Sequence, residues 1–125
     1  MICLGMNYRD HLEEAARYNA DAFEKQKPVA VYFSKPGDGG RGPPGGDIPR
    51  HADLVERLDY ESELAVILGK TARGVKAEDA GNYVFGYTII NDVSARDVQT
   101  GHKQWYFGKS LDGFNPHGPL DRHRR

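Results

Sequence analysis

Glu61 and Glu63 stand two residues apart in the run DYESELAVILG. Side chains alternate along a strand, so both carboxylates leave the same face. Ala65 and Ile67 share that face, which is therefore not simply a wet exterior. Two carboxylates a few ångströms apart repel by a few kcal/mol at an effective dielectric near ~20. A divalent cation between them relieves that repulsion. Hard oxygen donors with no Cys nearby favour Mg²⁺, Mn²⁺ or Ca²⁺ over Zn²⁺. The same pair also fits the edge of a half-buried strand with both carboxylates in water, where Glu usually sits. Asp92 closes the apolar run YVFGYTIINDV, where a buried carboxylate needs a partner. It can supply a third oxygen to the set, or it can serve as a turn or capping aspartate.

His11 and Glu14 are three apart on a segment with helical spacing and so face the same way. A carboxylate holding a histidine fixes its tautomer and raises its basicity, which suits water activation. A solvent-exposed His–Glu pair has the same spacing and little energetic weight. Arg96, Gln99, Lys109 and Lys35 are candidate substrate holders. Arg or Lys opposite a metal binds a carboxylate or polarises a carbonyl. Taken singly, each also reads as a surface group.

These residues need elements to position them. Ile2–Gly5 reads as a short buried strand and Tyr8–Tyr18 as an amphipathic helix capped by Asn7. Ala30–Phe33 is β-rich and stops before Lys35-Pro36. Gly37–Gly46 (GDGGRGPPGG) is a loop between strands; it lacks the Gly-Lys-Ser/Thr ending and following helix of a phosphate loop. Asp59–Gly69 is the clearest strand, with Tyr60, Ser62, Leu64, Val66 and Leu68 opposite the glutamate face. Lys76–Asn82 reads as a short helix and Tyr83–Val93 as a second strand. Ser94 to Asp97 has the form of a capped helix start. Trp105, Tyr106 and Phe107 are adjacent and read as core and loop packing, while the terminal LDRHRR has no strand character.

The chain has 125 residues, of which 17 are basic and 18 acidic, for a formal net charge of −1. A near-zero charge argues against a general nucleic-acid binder. No run approaches the roughly 18 apolar residues of a membrane span. No signal peptide is visible, and the single Cys3 cannot form an internal disulfide. The expectation is a soluble cytoplasmic protein with neither a nucleic-acid nor a membrane partner. No linker separates two cores.

Five segments occur in order: GMNYRDHLEE, VYFSKP, DYESELAVILGK, GYTIINDVSARDVQ and QWYFGKSLDGFNPHGP. Together they resemble the fumarylacetoacetate hydrolase family, in the bacterial branch of hydrolases, hydratases, isomerases and decarboxylases of 2-oxo and 1,3-diketo acids. The resemblance runs from Ile2 to about Pro119. It implies an α+β fold, mixed and mostly β with short helices, forming part of the family's catalytic domain over residues 1–119. Residues 120–125 then form a basic tail outside the family pattern. The implied cation ligands are Glu61, Glu63 and Asp92, with Mg²⁺ (or Mn²⁺, Ca²⁺) as the cofactor. The implied water-activating pair is His11 with Glu14; because the following segment Asn19–Lys27 is polar and loosely patterned, the pair is expected to hang over that metal as a mobile lid. Lys109 is the implied oxyanion stabiliser, and Arg96 and Gln99 are near the polar substrate contacts. The implied partner is a small 2-oxo or diketo acid, with a homodimer as the intact assembly. In the family the chain continues through further strands and a glycine loop that closes the pocket. The expectation is therefore a truncated chain that is not an efficient enzyme. The rival readings are an inactive fragment and a small cation-binding module.

Overall fold

The computed structural model describes residues 1–8, 10, 30–37, 46–102, 104–116 and, for the backbone alone, 121–122. The chain divides into two compact units, Met1–Lys35 and Pro36–Arg125. In the first, β1 (Ile2–Gly5) pairs antiparallel with β2 (Val31–Ser34), from Ile2 opposite Ser34 to Gly5 opposite Val31. The Met1 ammonium donates to the Lys35 carbonyl at 3.1 Å and the Lys35 amide returns a bond to Met1 at 3.2 Å, closing the ladder's end. Ile2, expected inside a buried strand, is exposed, because the unit's two strands alternate in burial along their length. The helix expected over Tyr8–Tyr18 and most of the Gly37–Gly46 loop lie outside the described residues.

The second unit is mostly strand with a few short helices. Its long pair is β4 (Ser62–Leu68) against β5 (Val84–Asn91), antiparallel, from Ser62 opposite Asn91 to Leu68 opposite Val84. A two-residue pairing joins β3 (Leu58–Asp59) to β6 (Ser94–Ala95). A 3₁₀ helix, Ala77–Tyr83, feeds β5 where a short helix was expected. Helices α1 (Arg96–Gly101) and α2 (Tyr106–Lys109) follow β6. Strand β7 (Asp121–Arg122) pairs with β5 at Tyr87 and Gly86, so the terminal segment does enter a sheet.

The single strand expected over Asp59–Gly69 is broken at Tyr60 and Glu61. The reason is local. Side-chain oxygens take the two amides: Tyr60 donates to Asp59 Oδ1 and Glu61 to Asn91 Oδ1. Beyond the break the face assignment holds. Glu61, Glu63, Ala65 and Ile67 are half-buried, whereas Ser62, Leu64, Val66 and Leu68 are exposed. Leu64 and its cross-strand partner Ile89 stand 61% and 66% exposed, so the aliphatic side of this sheet is the open one.

The apolar core lies beside the sheet, in Val55, Val93, Ala95, Val98 and Phe114, flanked by Ile48 and Leu111. Burying such side chains is worth about 1.5–3 kcal/mol each and fixes β6 and α1 in place. Helices α1 and α2 meet at Gly108, where a Cβ would fall 2.6 Å from the Gln99 amide nitrogen. Only glycine permits that approach. Phe114 packs edge-on to His51, whose Nε2 lies 2.9 Å from the Asp112 carbonyl. Tyr106 and Phe107, expected as packing residues, are exposed, and Phe107 rests against the His102 ring.

Candidate functional site

The chemistry-bearing residues of the second unit converge where the strands break. Glu61 sits between β3 and β4, and Asp92 between β5 and β6. The backbone ties the two together, since the Asp92 amide donates to the Glu61 carbonyl at 2.8 Å. Lys109 closes α2 and sends its ammonium between them, 2.7 Å from Glu61 Oε1 and 2.7 Å from Asp92 Oδ2. Lys109 and Asp92 are each 3% exposed. A buried carboxylate at the end of an apolar strand needs a partner, and here it is an ammonium.

Ser94 was expected to cap a helix. It lies in β6 instead, and α1 has no side-chain cap. Its hydroxyl is 2.6 Å from Glu61 Oε1 and 2.9 Å from Lys109 Nζ. Serine is free for this because Asp97, the other half of the expected capping pair, turns away. Its carboxylate accepts from the backbone amides of Glu56 and Arg57 at 3.2 and 3.1 Å. Desolvation pushes the Asp97 carboxyl up, but those bonds and the Arg57 charge outweigh it and hold the group below its ordinary value.

Arg96 opens α1 and spans three partners. Its Nε and Nη2 both lie 2.8 Å from Asp59 Oδ2. Its Nη1 reaches Gln99 Oε1 at 3.0 Å and Glu61 Oε1 at 3.1 Å. Gln99 is itself buried, so its carbonyl is oriented by the guanidinium. Burial by itself pushes the Glu61 carboxyl up. The hydrogen bonds from Lys109 and Ser94, with the charges of Lys109 and Arg96, outweigh it and hold the group below its ordinary value of 4.5. Glu61 is therefore ionised at neutral pH.

Of the expected ligands, Glu61 and Asp92 meet at one point. Glu63 shares the half-buried face of β4 with Glu61 but makes no three-acid group with them. Among the described residues, no three His, Cys, Asp or Glu side chains gather so as to hold an ion. What the pair leaves open to a hard cation lies on Glu61. Among the described residues no hydrogen bond reaches Glu61 Oε2, all its side-chain partners being on Oε1. Mg²⁺ is commonly held by one or two carboxylates with water and substrate oxygens completing the shell. Lys35, at the end of the first unit, is buried. His11 and Glu14 lie outside the described residues. A separate cavity of about 570 Å³, lined by Lys70, Arg73, Lys76, Asp79, Asn82 and Tyr83, contains none of these groups.

Sequence reasoning missed Asp59, Asn91 and Ser94 as parts of this cluster. Asn91 and Ser94 flank Asp92 within the NDVSARD segment, which was the available signal. Asp59 offered none beyond sitting two residues before Glu61.

Among the described residues no helix is long and apolar enough to cross a membrane. Residues 1–124 match the model of the fumarylacetoacetate (FAA) hydrolase C-terminal family. The match thus runs through most of the terminal hexapeptide. The chain is 43% identical over 125 residues to the oxaloacetate tautomerase YisK of Bacillus subtilis, covering 99% of this chain and 39% of that protein. Among solved structures, the fumarylacetoacetate hydrolase of Exiguobacterium antarcticum superposes with a TM-score of 0.73 at 48% identity, over 96% of this chain and 40% of that one. A 5-carboxymethyl-2-hydroxymuconate delta-isomerase from Mycobacterium smegmatis gives 0.70 at 34% identity, over 95% and 44%. The chain spans about two-fifths of the length of these relatives. With that match over nearly every residue, the chain belongs to the fumarylacetoacetate hydrolase family.

Proposed function

We propose that this chain carries the cation-binding part of an enzyme site acting on 2-oxo or 1,3-diketo acids. The observation that carries the reading is the meeting of Glu61 and Asp92 at a buried ammonium, with Glu61 Oε2 left without a hydrogen bond among the described residues. Asp59, Glu61 and Asp92 gather three carboxylates around Arg96 and Lys109. An oxygen-rich cluster of this kind suits a hard cation such as Mg²⁺ or Mn²⁺, held by Glu61 and Asp92, with Glu63 joining from the same strand face. When bound, such an ion takes up negative charge on the 2-oxo and carboxylate oxygens of a substrate.

The chain's own groups do the rest. Lys109 and Arg96 face the carboxylates and bring positive charge to the place where a substrate oxygen gains negative charge. Gln99 supplies an oriented amide beside Arg96, and Lys35 is a further carboxylate holder. His11, supported by Glu14, moves a proton or activates water. Relatives include a tautomerase, a hydrolase and an isomerase by name, so the site chemistry supports enolate formation while the bond broken varies.

The test is Mn²⁺ binding by titration calorimetry, paired with turnover of oxaloacetate and acylpyruvates. The chain should bind one Mn²⁺ saturably, and Glu61→Gln should weaken it at least about tenfold, as loss of a charged ligand does. Absence of saturable binding in the unaltered chain overturns the reading.

A further inference from the structure

Two hydrogen-bond donors and a guanidinium converge on a single oxygen of Glu61. Ser94 Oγ lies 2.6 Å, Lys109 Nζ 2.7 Å and Arg96 Nη1 3.1 Å from Oε1. Among the described residues none reaches Oε2. Ser94 has one hydroxyl hydrogen to give. Oε1 is its nearest acceptor, since the Asp92 carbonyl is farther off at 3.1 Å. A lone pair of the same hydroxyl faces Lys109 Nζ at 2.9 Å. Ser94 therefore donates to the acid and accepts from the ammonium, and it is wholly buried while doing so. A buried hydroxyl spent on one carboxylate oxygen fixes the torsion of that carboxylate. The other oxygen is then aimed instead of exchanging with its twin.

We infer that Ser94 is a positioning residue for cation binding. Together with Lys109 it pins Glu61 by Oε1, so that Oε2 is presented to a divalent ion. The inference rests on the cation reading above and adds to it a residue that never touches the ion. Without the hydroxyl, Glu61 keeps its charge, its bond from Lys109 and its ion pair with Arg96, but its last torsion is held less tightly, and the ion must supply the lost ordering on binding. Loss of a hydrogen bond that orients a metal ligand typically weakens affinity about 10–100-fold.

Mn²⁺ titration of the 125-residue chain distinguishes the possibilities, with thermal unfolding measured on the same samples without metal. Ser94→Ala removes the hydroxyl. Ser94→Cys keeps nearly the same volume with a much weaker donor, and so reports on the hydrogen bond even where the alanine variant folds poorly. Ser94→Thr keeps the hydroxyl. The alanine and cysteine variants should bind Mn²⁺ about tenfold more weakly, and the threonine variant should recover most of that loss. A purely structural serine moves the melting temperature and leaves the affinity of the folded protein where it was. That result, or threonine failing as badly as cysteine, overturns the positioning role. If Glu61→Gln loses Mn²⁺ while Ser94→Ala and Ser94→Cys do not, the positioning role falls and the cation site stands. If the unaltered chain binds no Mn²⁺, both fall together.

Discussion

Lys109→Met is the most informative single change. It removes the ammonium while keeping most of the stem's volume, and it leaves Glu61 and Asp92 facing one another. Both carboxylate oxygens lie 2.7 Å from Nζ. At a separation on the order of 5 Å and an effective dielectric near ~20, their repulsion is about 3 kcal/mol. Water screens little of it, since the two side chains are 13% and 5% exposed. Removing one partner of a buried ion pair typically costs about 3–5 kcal/mol, which agrees. Domains of this kind are stable by roughly 5–15 kcal/mol, so the variant should be close to its folding limit. The assay is urea unfolding followed by far-UV circular dichroism in EDTA, at pH 7 and at successively lower pH. In the unaltered chain Glu61 titrates below its ordinary 4.5, so acid weakens the native state. In the variant the lysine's bond and charge are gone, and burial pushes Glu61 up. The variant's penalty is therefore full at neutral pH and eases as Glu61 takes a proton. The gap between the two proteins should narrow toward pH 4. A gap under about 1 kcal/mol at pH 7, or one unchanged by acid, refutes the idea that Lys109 neutralises this pair.

Gly108→Ala should destabilise by about 1–3 kcal/mol or more, because its Cβ meets the Gln99 backbone at 2.6 Å; thermal unfolding reads this directly. Phe114→Ala empties the centre of the core and should cost about 3–5 kcal/mol in urea unfolding. For the unaltered chain, the contribution of Glu61 is fully present above its ordinary value of 4.5 and is lost as pH falls through its lowered native value. Urea midpoints should drop across that window, and Glu61→Gln should flatten that part of the profile.

Much of the site is legible in the residue pattern itself. Alternation along SELAVIL places Glu61 and Glu63 on one face, since a strand has a period of two whatever surrounds it. The apolar run into Asn91-Asp92 marks a carboxylate whose burial requires a partner, and the five ordered segments point to the family. The two strands and the 3₁₀ segment follow from local patterns of the same kind.

What tertiary structure alone decided was pairing. Lys109 is 48 residues from Glu61 and 17 from Asp92, and no periodicity relates them. They meet because Gly108 lets α2 close on α1 while Phe114 and Val93 bury beside it. The same packing drew Ser94 into β6 and onto Glu61, although its spacing from Asp97 suits a helix cap. A buried acid and ammonium compete better than a terminal amide for that hydroxyl, because electrostatic partners count for more out of water. Likewise, strand β3 parted from β4 because Asp59 and Asn91 side chains took the amides that a continuous ladder would have used. Local sequence determined which residues carry charge and which face they leave. Which charges meet was left to the long-range packing that sets the distances between them.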